Sequence, residues 1–180
     1  MKKLFTLLAL TISFSMNAQT GNTSTGTGSM ASLTSGGDYN VAHGLESLPS
    51  NTTGDRNTAY GTYSMYTNVS GDRNTASGYQ SLFLNVSGER NTAIGTYTLY
   101  TNTGSRNTAL GYQSLYYNTG DYNSAGGYQS LFRNISGDYN AAFGYESLYS
   151  NTSGNYNSAI GKSALYSNTS GEFNVAIGNR

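Results

Sequence analysis

Cysteine and tryptophan are missing from this 180-residue chain, proline occurs once, and only 10% of the residues are charged. Without cysteine there are no disulfide bridges and no thiolate metal sites. Nine basic and nine acidic residues cancel, so the charge balance indicates neither a nucleic acid nor a membrane surface as a partner. The chain is instead rich in Asn, Ser, Thr, Gly and Tyr, a composition that suits either a disordered chain or a solvated β-structure.

One apolar run stands out, and it lies at the N-terminus. Lys2 and Lys3 precede the segment LFTLLALTISF at residues 4–14, which is shorter than the roughly 20 residues of a membrane span. Small and polar residues then lead to Ala18. This order is typical of a signal peptide, to which we assign residues 1–18. We therefore expect an extracellular or cell-surface protein with no membrane span in the mature chain.

A repeat of 16 or 17 residues fills most of the remaining sequence. Each unit begins with a glycine, numbered position 1 below, at Gly37, Gly54, Gly71, Gly88, Gly104, Gly120, Gly137, Gly154 and Gly171. The units at Gly88 and Gly104 are one residue shorter than the others. A short fixed period indicates a solenoid, in which each unit stacks on the next. Residues 19–36 lack the pattern, and we interpret them as a polar leader or cap before a repeat domain at 37–180.

The spacing within a unit selects the kind of solenoid. Helical repeats need more than about 30 residues, whereas the recurring residues here are Asn at position 4, Ala at position 6 and Gly at position 8. This period of two is that of a β-strand. We expect a second short strand at positions 11–15 and turns of positive φ at both glycines. The predicted fold is all-β, a parallel β-solenoid (β-roll) of about nine coils.

Register explains the choice of inward residues. Asn occupies position 4 in all nine units, and we expect these side chains to form hydrogen bonds with one another along the axis, which favours in-register stacking. They are Asn40, Asn57, Asn74, Asn91, Asn107, Asn123, Asn140, Asn157 and Asn174. Eight further asparagines at position 15, from Asn51 to Asn168, form either a second ladder or simply good turns. Ala at position 6 and Leu at position 12 are expected to fill the narrow interior.

Two motifs connect these units to a known family. NSAIG at 157–161, followed by Ser163 and Ala164, and NVAIG at 174–178 resemble the head repeats of trimeric autotransporter adhesins of the YadA-like type. They are also similar to shaft repeats of tail-fibre-like proteins. The resemblance extends over roughly residues 37–180, although the units here are longer than the usual head repeat. It implies a trimer of parallel, left-handed β-rolls on the bacterial exterior.

Position 13 carries an aromatic residue in seven of eight units. Because adjacent strand residues face opposite sides, a residue beside the inward Leu of position 12 should point outward. We call this set the aromatic stripe: Tyr66, Phe83, Tyr100, Tyr116, Phe132, Tyr149 and Tyr166. Monomers rarely expose a continuous apolar patch, so the stripe predicts self-association, with ring stacking along the axis as the alternative. The last unit reaches Arg180 after one strand, so we expect either that the chain is one piece of a longer protein or that its uncapped strand edge pairs with another chain.

Residues suited to catalysis are few. His43 is the single histidine and stands at a variable outward position. Position 2 is acidic in seven units, at Asp38, Asp55, Asp72, Glu89, Asp121, Asp138 and Glu172. The nonapeptide calcium motif of other β-rolls is absent, so we interpret these acids as part of a solvated turn. Coils this small offer no cleft for paired carboxylates, and we expect no enzymatic activity, metal or cofactor.

Two functions fit these observations. The first is a secreted structural or adhesive surface protein that self-associates through the aromatic stripe into a homotrimer or fibre. The second is a module that binds a glycan or another polymer through outward Tyr and Arg residues, by stacking and cation–π contact. The expected partners are therefore other copies of the chain and an extracellular glycan or host surface.

Export is directly testable. The mature protein should be recovered outside the cytoplasm with an N-terminus near Gln19, because the signal peptide is removed after export. N-terminal sequencing of the secreted material measures this. Secreted protein that still begins at Met1 would contradict the assignment.

Overall fold

A computed structural model of the chain describes residues 21–33 and 36–180, so the signal peptide assigned to 1–18 lies outside the described residues. Within them every regular element is a short β-strand. The strands are β1 Thr23–Thr25, β2 Val41–His43, β3 Thr58–Tyr60, β4 Thr75–Ser77, β5 Thr92–Ile94, β6 Thr101–Asn102, β7 Thr108–Leu110, β8 Tyr117–Asn118, β9 Ser124–Gly126, β10 Ala141–Phe143, β11 Ser158–Ile160 and β12 Val175–Ile177.

Ten of these strands stack into one parallel sheet, which confirms the predicted β-solenoid. Its order is β1-β2-β3-β4-β5-β7-β9-β10-β11-β12, and β6 pairs with β8 in a second, two-stranded sheet. Each strand of the large sheet from β2 onward covers positions 5–7 of one coil, and equivalent residues pair, for example Ala76 with Ala93. At about 4.8 Å between strands, ten strands extend about 43 Å along the axis.

The leader contributes a first coil that the sequence pattern did not reveal. Strand β1 pairs in parallel with β2, and the Asn22 side chain accepts a hydrogen bond from the backbone N–H of Asn40. Met30 donates its backbone N–H to Ser47 and is buried, as the residues at position 12 are. The coil is hard to detect because Asn22 and Asn40 are 18 residues apart and few other repeat residues are present.

The expected second strand at positions 11–15 is wrong for most coils. Only β6 and β8, in the two shorter units, are extended there, and they cover positions 14 and 15. Positions 10 and 12 have positive φ, for example 52° at Gln80 and 50° at Leu82, so the chain bends instead of extending. As a result Ser81 and Leu82 are neighbours and are both fully buried, which the alternation of a strand does not allow.

The two glycines of a unit serve different purposes. At position 8 the expected turn is present, with φ of 140° at Gly78, a conformation that other residues rarely adopt. At position 1 the expectation of positive φ is wrong. There a Cβ at Gly71 would lie only 2.5 Å from the carbonyl oxygen of Gly88. Glycine at position 1 is therefore required by the close approach of the next coil.

Small and large apolar residues share the interior. Ala at position 6 and Leu or Met at position 12 form one buried cluster along the rod. Within β7, Ala109 is fully buried while its neighbours Thr108 and Leu110 are exposed. The strand therefore has one inward residue, with a methyl group as its side chain.

Replacing Ala109 by Leu should destabilise the rod far more than replacing Thr108 by Leu. The first change overfills the interior, which typically costs about 1–3 kcal/mol, whereas a change at an exposed site usually stays within about 0.5 kcal/mol. Thermal unfolding followed by circular dichroism compares the two variants. Equal melting temperatures would mean that the inward face of β7 has been assigned incorrectly.

Candidate functional site

The asparagines at position 4 connect each coil to the next. From Asn40 to Asn157 they are buried, and Asn174 is half-buried. The Asn57 side-chain oxygen accepts the backbone N–H of Asn74 at 2.9 Å, and its Nδ2 donates to the carbonyl of Gly71 at 2.7 Å. These bonds join side chain to backbone, whereas the expectation was for side chain to side chain. Direct bonds between position-4 amides occur in the described coils only from Asn140 onward.

Position 15 forms the direct amide ladder. Asn102 donates to the side-chain oxygen of Asn85 at 3.0 Å and accepts from Nδ2 of Asn118 at 2.8 Å. The Asn102 amide also donates to the carbonyl of Gly104 at 2.7 Å, which closes the turn at the end of its own coil. These asparagines are therefore both ladder and turn residues.

A third inward polar column, at position 11, was missed. Ser occupies this position in six of eight units, and these serines are buried. The Ser64 hydroxyl donates to the Gly61 carbonyl at 2.9 Å, which satisfies both groups inside the turn. The recurrence of Ser at position 11 could have revealed this column, but the predicted strand at positions 11–15 placed position 11 on the outer side of the coil.

The acidic column at position 2 is a hydrogen-bond ladder on the outside of the turn. The backbone N–H of Asp38 donates to the Asp55 carboxylate at 2.8 Å, and the N–H of Asp121 donates to Asp138 at 2.7 Å. Where the acid is replaced, Asn155 accepts the same bond from Asp138. Since an amide performs the same task, the column needs an acceptor and does not need charge. In residues 21–33 and 36–180 no three His, Asp or Glu side chains are grouped in a way that could hold a metal ion.

The rings of the aromatic stripe stack on one another along the axis. Successive centroids are 4.9–5.3 Å apart and the ring planes differ by 4–25°. All seven rings are half-buried. In-register stacking covers the ring faces and leaves ring edges and hydroxyl groups toward solvent. The rings therefore stack on one another within the chain and still reach the outer surface, so the two alternatives drawn from the sequence do not exclude each other.

A second aromatic row, not recognised in the sequence, runs beside the stripe. It consists of Tyr63, Tyr79, Tyr97, Tyr112, Tyr128 and Tyr145. Tyr63 and Tyr97 occupy position 10 and the other four tyrosines occupy position 9, so the row cannot be recognised from the residues at any single repeat position. Tyr63 lies 5.8 Å from Tyr66 at 75°, and Tyr97 lies 5.8 Å from Tyr100 at 67°. Desolvation and neighbouring phenols raise the pKa of Tyr97 above its ordinary value. We call the two rows together the aromatic face.

Position 3 forms a further outward column, separate from the aromatic face. Four of its members are arginines, and they are followed by stacked rings. Arg56 lies over Tyr39 at 5.6 Å, and Arg106 lies over Tyr122 at 5.0 Å. The column consists of Tyr39, Arg56, Arg73, Arg90, Arg106, Tyr122, Tyr139, Tyr156 and Phe173. His43 is separate from it, hydrogen-bonded to Thr25 and 5.6 Å from the Tyr60 ring.

Comparison of the chain with protein-family profiles, curated proteins and solved structures finds no match. In the described part of the chain no helix has the length and apolar character needed to cross a membrane.

Asn102→Ala tests the ladder at position 15. It leaves a donor on Asn118 and an acceptor on Asn85 unpaired in the interior, and each such group costs about 1–3 kcal/mol. Thr103→Ala is the matched control, because Thr103 is the next residue and is exposed. Its replacement should change the free energy of unfolding by no more than about 0.5 kcal/mol. Urea unfolding gives both free energies. A ladder without energetic importance would leave the two variants equally stable.

Proposed function

We propose that this chain is a secreted, non-catalytic structural or adhesive surface protein whose rods associate side by side through the aromatic stripe. The observation that supports this most is the length of the stripe, which runs without interruption from Tyr66 to Tyr166. Its ring edges reach solvent beside the second row. A partly exposed apolar surface that continues over several coils is a candidate interaction site.

The chemistry of the stripe suits contact with another copy. From Phe83 to Tyr149 each ring is stacked on both faces, so a partner meets ring edges and hydroxyl groups there. Tyr is favoured at interfaces because its ring is apolar and its hydroxyl group can form a hydrogen bond. The rod presents this surface at seven successive coils, so that a second rod gains contacts along the whole length of the stripe. The resemblance to adhesin heads gives a homotrimer as the expected assembly.

Light scattering on the purified mature protein tests the proposal. The unmutated protein should have the mass of a homotrimer or a larger assembly. Replacing Tyr100, Tyr116 and Phe132 together by Ser should lower the mass to that of one chain, because the central part of the stripe is lost. Circular dichroism checks that the rod remains folded.

A matched control lies on the sheet. Replacing Ile94, Leu110 and Phe143 by Ser removes three exposed side chains at position 7 and should leave the assembly intact. A folded, monodisperse monomer of the unmutated protein would contradict association. The column of Arg and Tyr at position 3 would then be the better candidate, as a ligand-binding face to be measured on a glycan array.

A further inference from the structure

A groove of about 300 Å³ lies on the aromatic face near the N-terminal end of the rod. Its lining consists of Glu46, Tyr63, Tyr66, Gln80 and Phe83. Glu46, Tyr63 and Gln80 are the position-10 residues of three successive coils, while Tyr66 and Phe83 are the first two rings of the stripe. The groove therefore runs between the two rows of the aromatic face.

The aromatic walls meet at a corner. Tyr63 and Tyr66 are in edge contact, at 75° with centroids 5.8 Å apart. Tyr66 stacks on Phe83 with one face, at 5.1 Å and 12°, and no further ring of the described residues stacks on it, so its second face is not covered by an aromatic ring. The face of an aromatic ring is electron-rich and attracts cations. Perpendicular rings around one space are the arrangement that aromatic cages use for ammonium groups.

One acid accompanies these rings. The Glu46 side chain is half-buried, and its carboxylate takes part in no ion pair or side-chain hydrogen bond among the residues described. Gln80, at the same repeat position in the coil after Tyr63, supplies a neutral amide that can form hydrogen bonds. A negative charge beside electron-rich rings favours a positively charged guest over a neutral one.

Farther along the rod the chain places its own cations against the same face. The Arg180 guanidinium lies over the Tyr166 ring at 5.2 Å, and the Lys162 ammonium lies over Tyr145 at 5.9 Å. Arg180 occupies position 10 of the coil that follows Tyr166. In the N-terminal groove the corresponding residue, in the coil that follows Tyr66, is the neutral Gln80, and Glu46 stands in the coil before Tyr66. Rings on this face of the rod therefore accept cations, and the lining of the N-terminal groove contains an acid and no cation of its own.

We propose that the groove lined by Glu46, Tyr63 and Tyr66 binds an organic ammonium group. A quaternary amine and an amino sugar both carry this positive charge, the first on a nitrogen surrounded by carbon atoms and the second on a primary ammonium group. This site goes beyond the association proposed above, since it requires only the groove within one chain.

The test is a titration of the mature protein with choline and with its neutral analogue 3,3-dimethylbutan-1-ol, followed by NMR of the tyrosine rings. Choline should shift the Tyr63 and Tyr66 signals in a saturable manner, while the neutral analogue should bind at least about 5-fold more weakly, as expected for a cation–π contact supported by a charge. Glucosamine and N-acetylglucosamine form the second pair and reveal whether an amino sugar binds more tightly than choline.

Glu46→Gln should weaken choline binding about 5- to 10-fold without loss of stability, because Gln already stands at position 10 in Gln80, Gln113 and Gln129 with φ of 52–53°, and the lost charge contact amounts to roughly a tenfold effect. Glu146→Gln is the matched control, at the same repeat position but outside the groove, and should leave binding unchanged.

Selective binding of either cation, sensitive to Glu46, supports the site. Equal binding of choline and its neutral analogue, or unchanged binding in Glu46→Gln, would overturn it. The mass of the assembly, recorded by light scattering in the same samples, is a separate readout, so loss of association and loss of cation binding are distinguished.

Discussion

Buried amide groups in one coil find their hydrogen-bond partners in the next coil. The backbone N–H of Asn74, for example, donates to the side-chain oxygen of Asn57, and the Asn74 Nδ2 donates to the carbonyl of Gly88. A coil with Ala and Leu as its main apolar residues buries little apolar surface, and its polar interior is costly unless every member is satisfied. Stacking is therefore the condition for folding each coil, and the chain behaves as a quasi-one-dimensional array.

The stacking of the coils also determines how residues are arranged on the surface. In-register stacking places equal positions about 4.8 Å apart, so any residue that recurs becomes a continuous column. Ring stacking in the aromatic stripe and the acceptor ladder at position 2 both follow from this spacing. Positive φ at Leu82 and Arg73 costs about 1 kcal/mol or more for each residue, and the bonds to the coils on either side hold these conformations in place.

The sequence was sufficient for the fold class because the 17-residue period and the alternation of Asn, Ala and Gly each point to a parallel β-solenoid. It was insufficient for the segment around Leu82, since positive φ at non-glycine residues depends on neighbouring coils. The coil around Asn22 escaped detection because backbone pairing tolerates almost any side chain. The second aromatic row was hidden because Tyr63 and Tyr79 occupy different repeat positions, which only the folded turn brings into line.

Hydrogen exchange measured by NMR tests the central claim most directly. The backbone N–H of each position-4 asparagine from Asn57 to Asn157 has the preceding asparagine side chain as its acceptor, whereas the N–H groups of Tyr79 and Tyr112 at position 9 have no acceptor in the described residues. If the amide ladder holds the coils together, the asparagine protons should exchange about 100-fold or more slowly than those at position 9. Equally fast exchange at both positions would contradict a rod that depends on this ladder.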